Sequence, residues 1–205
     1  FSVGLGKSQD ESLIFIATGD NATSEIRFVA ADDPAQPLTL ISPRQPNREY
    51  DVDAAHGKLW VHSNDEHINF RLTVAELDAP GEWRTVIAGS DEVYLTDITP
   101  YRDWLAITRR VGGLDQLSLR SYAGDEVPLP FEEASFSAYF GGNPEFAPAT
   151  LRVGYSSMVT PGSVFDYHPA SRELELRKVQ EIPSGYDGSL YATERLDIAA
   201  RDGAK

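Results

Sequence analysis

Gly154-Tyr155-Ser156-Ser157-Met158 opens like the nucleophile elbow of a serine hydrolase, in which Gly-x-Ser-x-Gly holds the serine on a sharp turn between a strand and a helix. Met158 stands where the second glycine is needed and no helical period follows, so Ser156 is not predicted to be a nucleophile. The histidines His56, His62, His67 and His168 are the next candidates for base or metal chemistry. None has a partner at ligand spacing on a regular element; His62 and His67 flank Asn64-Asp65-Glu66, a composition that predicts a solvated turn rather than a metal centre. Gly4-x-Gly6 lacks the third glycine and the helix of a dinucleotide loop. Asn21-Ala22-Thr23 is a glycosylation sequon by pattern only and is read as unused. With no cysteine there is no disulfide, thiolate ligand or thiol nucleophile. The expectation is a chain with no catalytic residue, no cofactor and no metal.

A repeat positions all of these residues. Ile14-Phe15-Ile16-Ala17-Thr18 recurs as Leu59-Trp60-Val61-His62-Ser63, Trp104-Leu105-Ala106-Ile107-Thr108 and Leu151-Arg152-Val153-Gly154-Tyr155, at offsets of 45, 45 and 47 residues. After each comes a polar turn and a second run of β type, at 24–30, 69–75, 115–122 and 163–167. First strands are expected at 1–5, 50–52, 93–95 and 136–140, and fourth strands at 38–40, 83–86, 127–129 and 174–176. Turn residues separate them: Asp20-Asn21, Ala55-His56-Gly57, Gly112-Gly113, Gly141-Gly142-Asn143-Pro144 and Pro161-Gly162 tolerate positive φ or pre-set it. The nearest approach to a helical period is 172–180, where Leu174, Leu176 and Val179 fit a strand as well. A period in the forties made of several short strands is the signature of propeller blades. The fold class expected is all-β, a β-propeller of about four four-stranded antiparallel blades over residues 1–182. Trp60, Trp83 and Trp104 fall in strand runs, which points to packing between blades rather than a binding platform.

At 205 residues and 41% hydrophobic the chain can bury a core. It has no 18-residue apolar run and no basic-apolar leader, so no membrane partner is expected. The lack of cysteine favours a reducing compartment, and a cytoplasmic location is expected. The chain opens at Phe1 inside a strand run and closes just after another at 196–200, so both ends read as cut from a longer protein.

The net charge of −14 argues against nucleic acid, whose binding depends on phosphate neutralisation by lysine and arginine. Solubility is the plain reading of the acidity. A sharper one comes from Glu49, Asp91-Glu92 and Glu132-Glu133, which occupy the connections leading into successive innermost strands. They are predicted to form an acidic collar at a channel mouth that concentrates cationic peptides.

Specific strings resemble a known family. Arg48-Glu49-Tyr50 leading to His62-Ser63-Asn64 and Asn69-Phe70-Arg71-Leu72 is similar to the propeller of prolyl oligopeptidases, peptidase family S9. Leu151-Arg152-Val153-Gly154-Tyr155-Ser156-Ser157-Met158-Val159-Thr160-Pro161, followed by Val164-Phe165-Asp166-Tyr167, resembles the last blade of the oligopeptidase B (protease II) branch. Tyr191-Ala192-Thr193-Glu194-Arg195 through Ala200-Arg201-Asp202-Gly203 looks like the re-entry strand of that family's peptidase domain. The resemblance implies the C-terminal part of a seven-bladed propeller, then a linker and first α/β-hydrolase strand at 183–205. It implies a parent serine peptidase that cleaves short peptides after arginine or lysine with a Ser-Asp-His triad outside this chain. The parent's partners would then be short basic peptides and the missing peptidase domain.

Two functional classes follow, a substrate-gating part of such an oligopeptidase or a non-enzymatic propeller scaffold, because fold alone does not choose. Four blades of a larger ring leave two outer faces without partners. Either two copies pair or the four blades close on one another, with self-association the favoured outcome.

Overall fold

Runs with apolar residues at alternate positions become strands that bury one or both faces. The computed structural model, which describes residues 1–196, 198–201 and 203, holds sixteen of them. The first blade is β1 (Ser2–Lys7), β2 (Leu13–Gly19), β3 (Ser24–Ala30) and β4 (Thr39–Leu40). The second is β5 (Tyr50–Ala55), β6 (Lys58–Ser63), β7 (Arg71–Glu76) and β8 (Arg84–Ile87). The third is β9 (Val93–Pro100), β10 (Trp104–Val111), β11 (Leu114–Ser121) and β12 (Glu126–Pro128). The fourth is β13 (Phe136–Phe140), β14 (Leu151–Ser157), β15 (Ser163–His168) and β16 (Glu173–Val179). Each blade is a separate sheet in simple up-and-down order, antiparallel throughout. Every strand expected from the repeat is present, and the 172–180 stretch is strand β16. The tight hairpins use the residues that permit them: His56 and Gly57, at φ 56° and 70°, join β5 to β6, and Gly112 and Gly113, at 54° and 83°, join β10 to β11. Two consecutive positive φ values match the twist of the flanking strands.

The blades stack through three apolar clusters, one per interface. Strand alternation decides which way each side chain points. Leu59 and Val61 of β6 pack toward the first blade, while Trp60 packs toward Leu105 and Ile107 of the third. Trp83 packs on the first cluster and Trp104 on the one between the third and fourth blades, so all three tryptophans serve inter-blade packing. Tyr50 ties the first two blades together: its hydroxyl accepts from Ile26 N–H (2.7 Å) and donates to the Ser42 carbonyl (3.0 Å). The buried Arg48 guanidinium lies over the Tyr50 and Trp83 rings, which gives the Arg48-Glu49-Tyr50 string a structural role.

Among the described residues no fourth cluster joins the last blade to the first, and β1 is exposed along its length. The four blades therefore form an open arc without a closing apolar interface, the first and fourth meeting where Gln9 Nε2 reaches the Asn143 and Glu145 carbonyls. Beyond β16 the described residues contain one 3₁₀ turn, Gly188–Leu190, and no strand. The expected strand around 191–203 is unformed in its described residues, since a strand needs a neighbouring edge for its backbone groups; Asp197 and Asp202 lie outside them. No helix among the described residues is long and apolar enough to cross a membrane.

Candidate functional site

The turns between second and third strands and the connections entering the next blade lie at the same end of the sheets, because they are hydrogen-bonded to one another. Asn64 N–H donates to the Glu49 carbonyl (3.1 Å), Asn69 Nδ2 to the Ser90 carbonyl (2.8 Å), and Thr160 Oγ1 to Glu133 Oε1 (2.5 Å). Glu49, Asp91, Glu92, Glu132 and Glu133 all sit at this end, in different surroundings. Asp91, Glu92 and Glu132 are exposed, although His67 Nε2 lies 3.2 Å from Asp91 Oδ1. Glu49 is half-buried, its N–H donating to Asn64 Oδ1 (2.8 Å). Glu133 turns inward: burial raises its pKa, but hydrogen bonds from Ser157, Thr160 and Tyr155 outweigh that and hold it below the ordinary value. Ser157 Oγ also accepts from the Val159 and Thr160 N–H groups (3.1 and 2.8 Å). The Ser-Ser-Met-x-Thr-Pro string is thus a hydrogen-bonded turn, and Ser156 is on strand β14 opposite Ser137, not on an elbow.

A second cluster lies between the inner strands of the second and third blades. Asp51 and Asp53 of β5 stand opposite His62 and Trp60 of β6 and, with Asp97 of β9, line a cavity of about 200 Å³. Gln9 of the first blade braces Asp53 from outside the cavity: its N–H donates to Asp53 Oδ1 (2.7 Å), while its Nε2 donates to the Asn143 and Glu145 carbonyls of the fourth blade (2.9 and 3.2 Å). His62 lies on the strand run that precedes the turn it flanks, as expected. It is half-buried on β6, its Nε2 bonded to the Leu95 carbonyl (2.9 Å) and its ring stacked on Phe70. Burial lowers its pKa against the pull of Leu95, Asp97 and Asp51, so the imidazole is neutral at pH 7 and Nε2 is the donor. Among the described residues no three histidine or carboxylate side chains could hold a common metal ion.

Sequence reasoning missed this cluster because its members lie on two blades. The available signal was the repeat itself: Asp51 and Asp97 are 46 residues apart, close to the blade period, which places them on adjacent inner strands.

Burial pushes the Asp53 carboxyl up to about 6, with Asp10 and Asp51 adding to the effect and N–H donors from Gln9 and Ala54 opposing it. Asp97 is raised for the same first reason, with Asp51 contributing. A raised folded pKa means that ionisation favours the unfolded chain. The penalty is absent below the ordinary value of 3.8, accrues up to about 6, and is constant above. Asp53→Asn keeps the acceptor for Gln9 and removes the charge. It is expected to raise stability by about 1–2 kcal/mol at pH 8, with the gain vanishing toward pH 4. Urea unfolding at both pH values checks this; an equal effect at the two, or a loss at pH 8, contradicts it.

The arrangement is a propeller wall with carboxylates at one end and in one inter-blade cavity. Residues 1–180 match the family described as "Prolyl oligopeptidase, N-terminal beta-propeller domain", and the chain belongs to that family. Among curated proteins it is 29% identical to the dipeptidyl aminopeptidase BI of Pseudoxanthomonas mexicana and 27% identical to the Protease 2 of Moraxella lacunata. These alignments cover 99% and 100% of the chain but 28% and 30% of the relatives. Oligopeptidase B from Trypanosoma brucei, solved in a closed form with covalently bound antipain, superposes with a TM-score of 0.91 at 25% identity. That match covers the whole chain and 31% of the enzyme. The Leishmania major oligopeptidase B, at 23% identity, has the same fold with a TM-score of 0.91, over the whole chain and 30% of the enzyme. The chain therefore spans less than a third of the length of these relatives.

Proposed function

We propose that the chain is the C-terminal part of the propeller of a serine-type oligopeptidase, gating substrate access to a peptidase domain carried elsewhere in the parent. In the parent, residues 183–205 serve as the linker to that domain and pair there as its first strand, with the neighbouring edge supplied by the rest of the parent. The parent cleaves short peptides, after arginine or lysine, in the cytoplasm. The carrying observation is similarity along the whole chain to oligopeptidase B and Protease 2, together with the exposed carboxylates of Asp91, Glu92 and Glu132 at one end of the blades. Among the described residues none brings together the nucleophile, base and oxyanion donors that acyl transfer needs; in this reading the rest of the parent carries the chemistry and the propeller excludes folded substrates while attracting basic ones.

The collar tests the attraction. Neutralising the exposed Asp91, Glu92 and Glu132 together in the full-length parent is expected to lower kcat/KM for a diarginyl amide substrate about two- to fivefold at low salt. The loss should disappear near 0.5 M salt, where such charges are screened over a few ångströms. A loss of the same size at high salt, or none at low salt, contradicts electrostatic steering by these residues.

A further inference from the structure

We propose that the connection between β13 and β14, residues 141–150, is a cross-bar that closes one mouth of the propeller channel, at the end of the blades opposite the acidic collar. In each up-and-down blade the turn between first and second strands lies at the end opposite the turn between second and third, so this connection shares its end with the hairpins β1–β2, β5–β6 and β9–β10. Those three are five, two and three residues long; this one has ten. Hairpin connections of that length are uncommon and tend to carry function. The extra length reaches across to the other blades. Asn143 pins its base to the fourth blade, its Oδ1 accepting from Arg152 N–H (2.6 Å). On the third blade, Arg102 N–H donates to the Phe146 carbonyl (2.9 Å). The Phe146 ring packs into the apolar cluster between the second and third blades, its centroid 6.0 Å from that of the His56 ring. The first blade supplies the latch: Gln9 Nε2 donates to the Asn143 and Glu145 carbonyls (2.9 and 3.2 Å), and Asp53 Oδ1 of the second blade holds the Gln9 N–H (2.7 Å). One connection is thus fastened to all three other blades. Propeller blades surround a central channel, and in a ring of seven, blades three places apart stand nearly opposite, so a link from the fourth to the first passes close to the axis. Pro144 and Pro148 restrict the backbone of the bar, which lowers the entropy lost in holding it across the opening. With that mouth barred, peptides reach the enclosed space from the collar end.

The inference rests on the peptidase reading, and its test separates the two. In the full-length parent, residues 143–149 are replaced by two glycines, which leaves a turn as long as that of the first blade. Cleavage of a diarginyl chromogenic amide is compared with cleavage of β-casein, an unfolded polypeptide too large for a barred channel. The native parent should cleave the amide and spare casein. The shortened variant should cleave casein at least about tenfold faster than the native parent and keep its kcat/KM for the amide within about twofold, since the bar gates access and takes no part in chemistry. Unchanged casein cleavage in a shortened variant that retains amide activity overturns the bar, as does a native parent that cleaves casein as readily as the amide. If the shortened variant loses amide activity, Gln9→Ala combined with Phe146→Ala decides by amide hydrogen exchange. The Arg102 N–H, bonded to the Phe146 carbonyl, should then exchange at least about tenfold faster than in the native parent, because local opening sets its protection. Unchanged protection overturns the proposal. A native parent that cleaves neither substrate sinks the peptidase reading alone, and the exchange experiment still judges the bar.

Discussion

Asp65→Ala is expected to destabilise the chain by about 3 kcal/mol. Arg71, on β7, has a side chain 6% exposed and is held by a two-pronged pair with Asp65: Nε to Oδ1 at 2.9 Å and Nη2 to Oδ2 at 2.7 Å. Thr85 Oγ1 (2.6 Å) and Glu66 (2.8 Å) complete its shell. Removing the carboxylate leaves a buried guanidinium with one exposed counter-charge, which places the cost at the lower end of the range for broken buried pairs. Burial raises the Asp65 pKa, but the Arg71 hydrogen bond and charge outweigh it, so the folded value lies below the ordinary 3.8. A lowered folded pKa makes this stability fully present above 3.8, and it is lost as pH falls through the folded value. The gap between native and variant should therefore stay constant from pH 8 to pH 5 and close only under strong acid. The exposed Lys7–Glu11 pair is the control: Glu11→Ala should change stability by less than about 0.5 kcal/mol. Urea unfolding of both variants across pH decides; equal effects would show that burial of Arg71 does not set the cost.

Leu105→Ala is expected to cost about 3 kcal/mol, or roughly 6–12 °C in Tm for a chain of this length. Leu105 is 1% exposed in the cluster shared by the second and third blades, packed with Trp60, Leu72, Val74, Leu95 and Ile107. That cluster is the middle one of three, and in a run of blades each unit buries its apolar faces chiefly against its neighbours. A cavity there weakens the join between two halves, so the urea m-value should also fall as unfolding loses cooperativity. Leu176→Ala, at a residue 53% exposed on the outermost strand β16, should change stability by less than about 1 kcal/mol and leave the m-value unchanged. Equal losses at the two leucines would contradict the one-dimensional packing described here.

Much of this fold was readable in the sequence because its rules are local. Alternating apolar residues placed β5 and β9, and His56-Gly57 and Gly112-Gly113 marked hairpins that need two positive φ values. Even the two-residue β4 fell where the repeat put it. The collar residues were readable as positions on connections, yet Glu133 has turned toward Ser157 and Thr160, a choice made by side-chain packing within its own blade. The inter-blade cavity was not readable. His62 belongs to β6 by sequence and to Leu95 of the next blade by its hydrogen bond, and only contacts between repeats bring Asp97 beside Asp51 and Asp53.

The most direct test of the central proposal compares this chain with the full-length parent, using a fluorophosphonate probe that labels activated serines and a basic chromogenic peptide amide. The account predicts a labelled serine outside residues 1–205 and turnover by the parent, with neither labelling nor turnover by the chain alone. Turnover by the repurified chain, or a parent that takes no label and cleaves no short peptide, would contradict it.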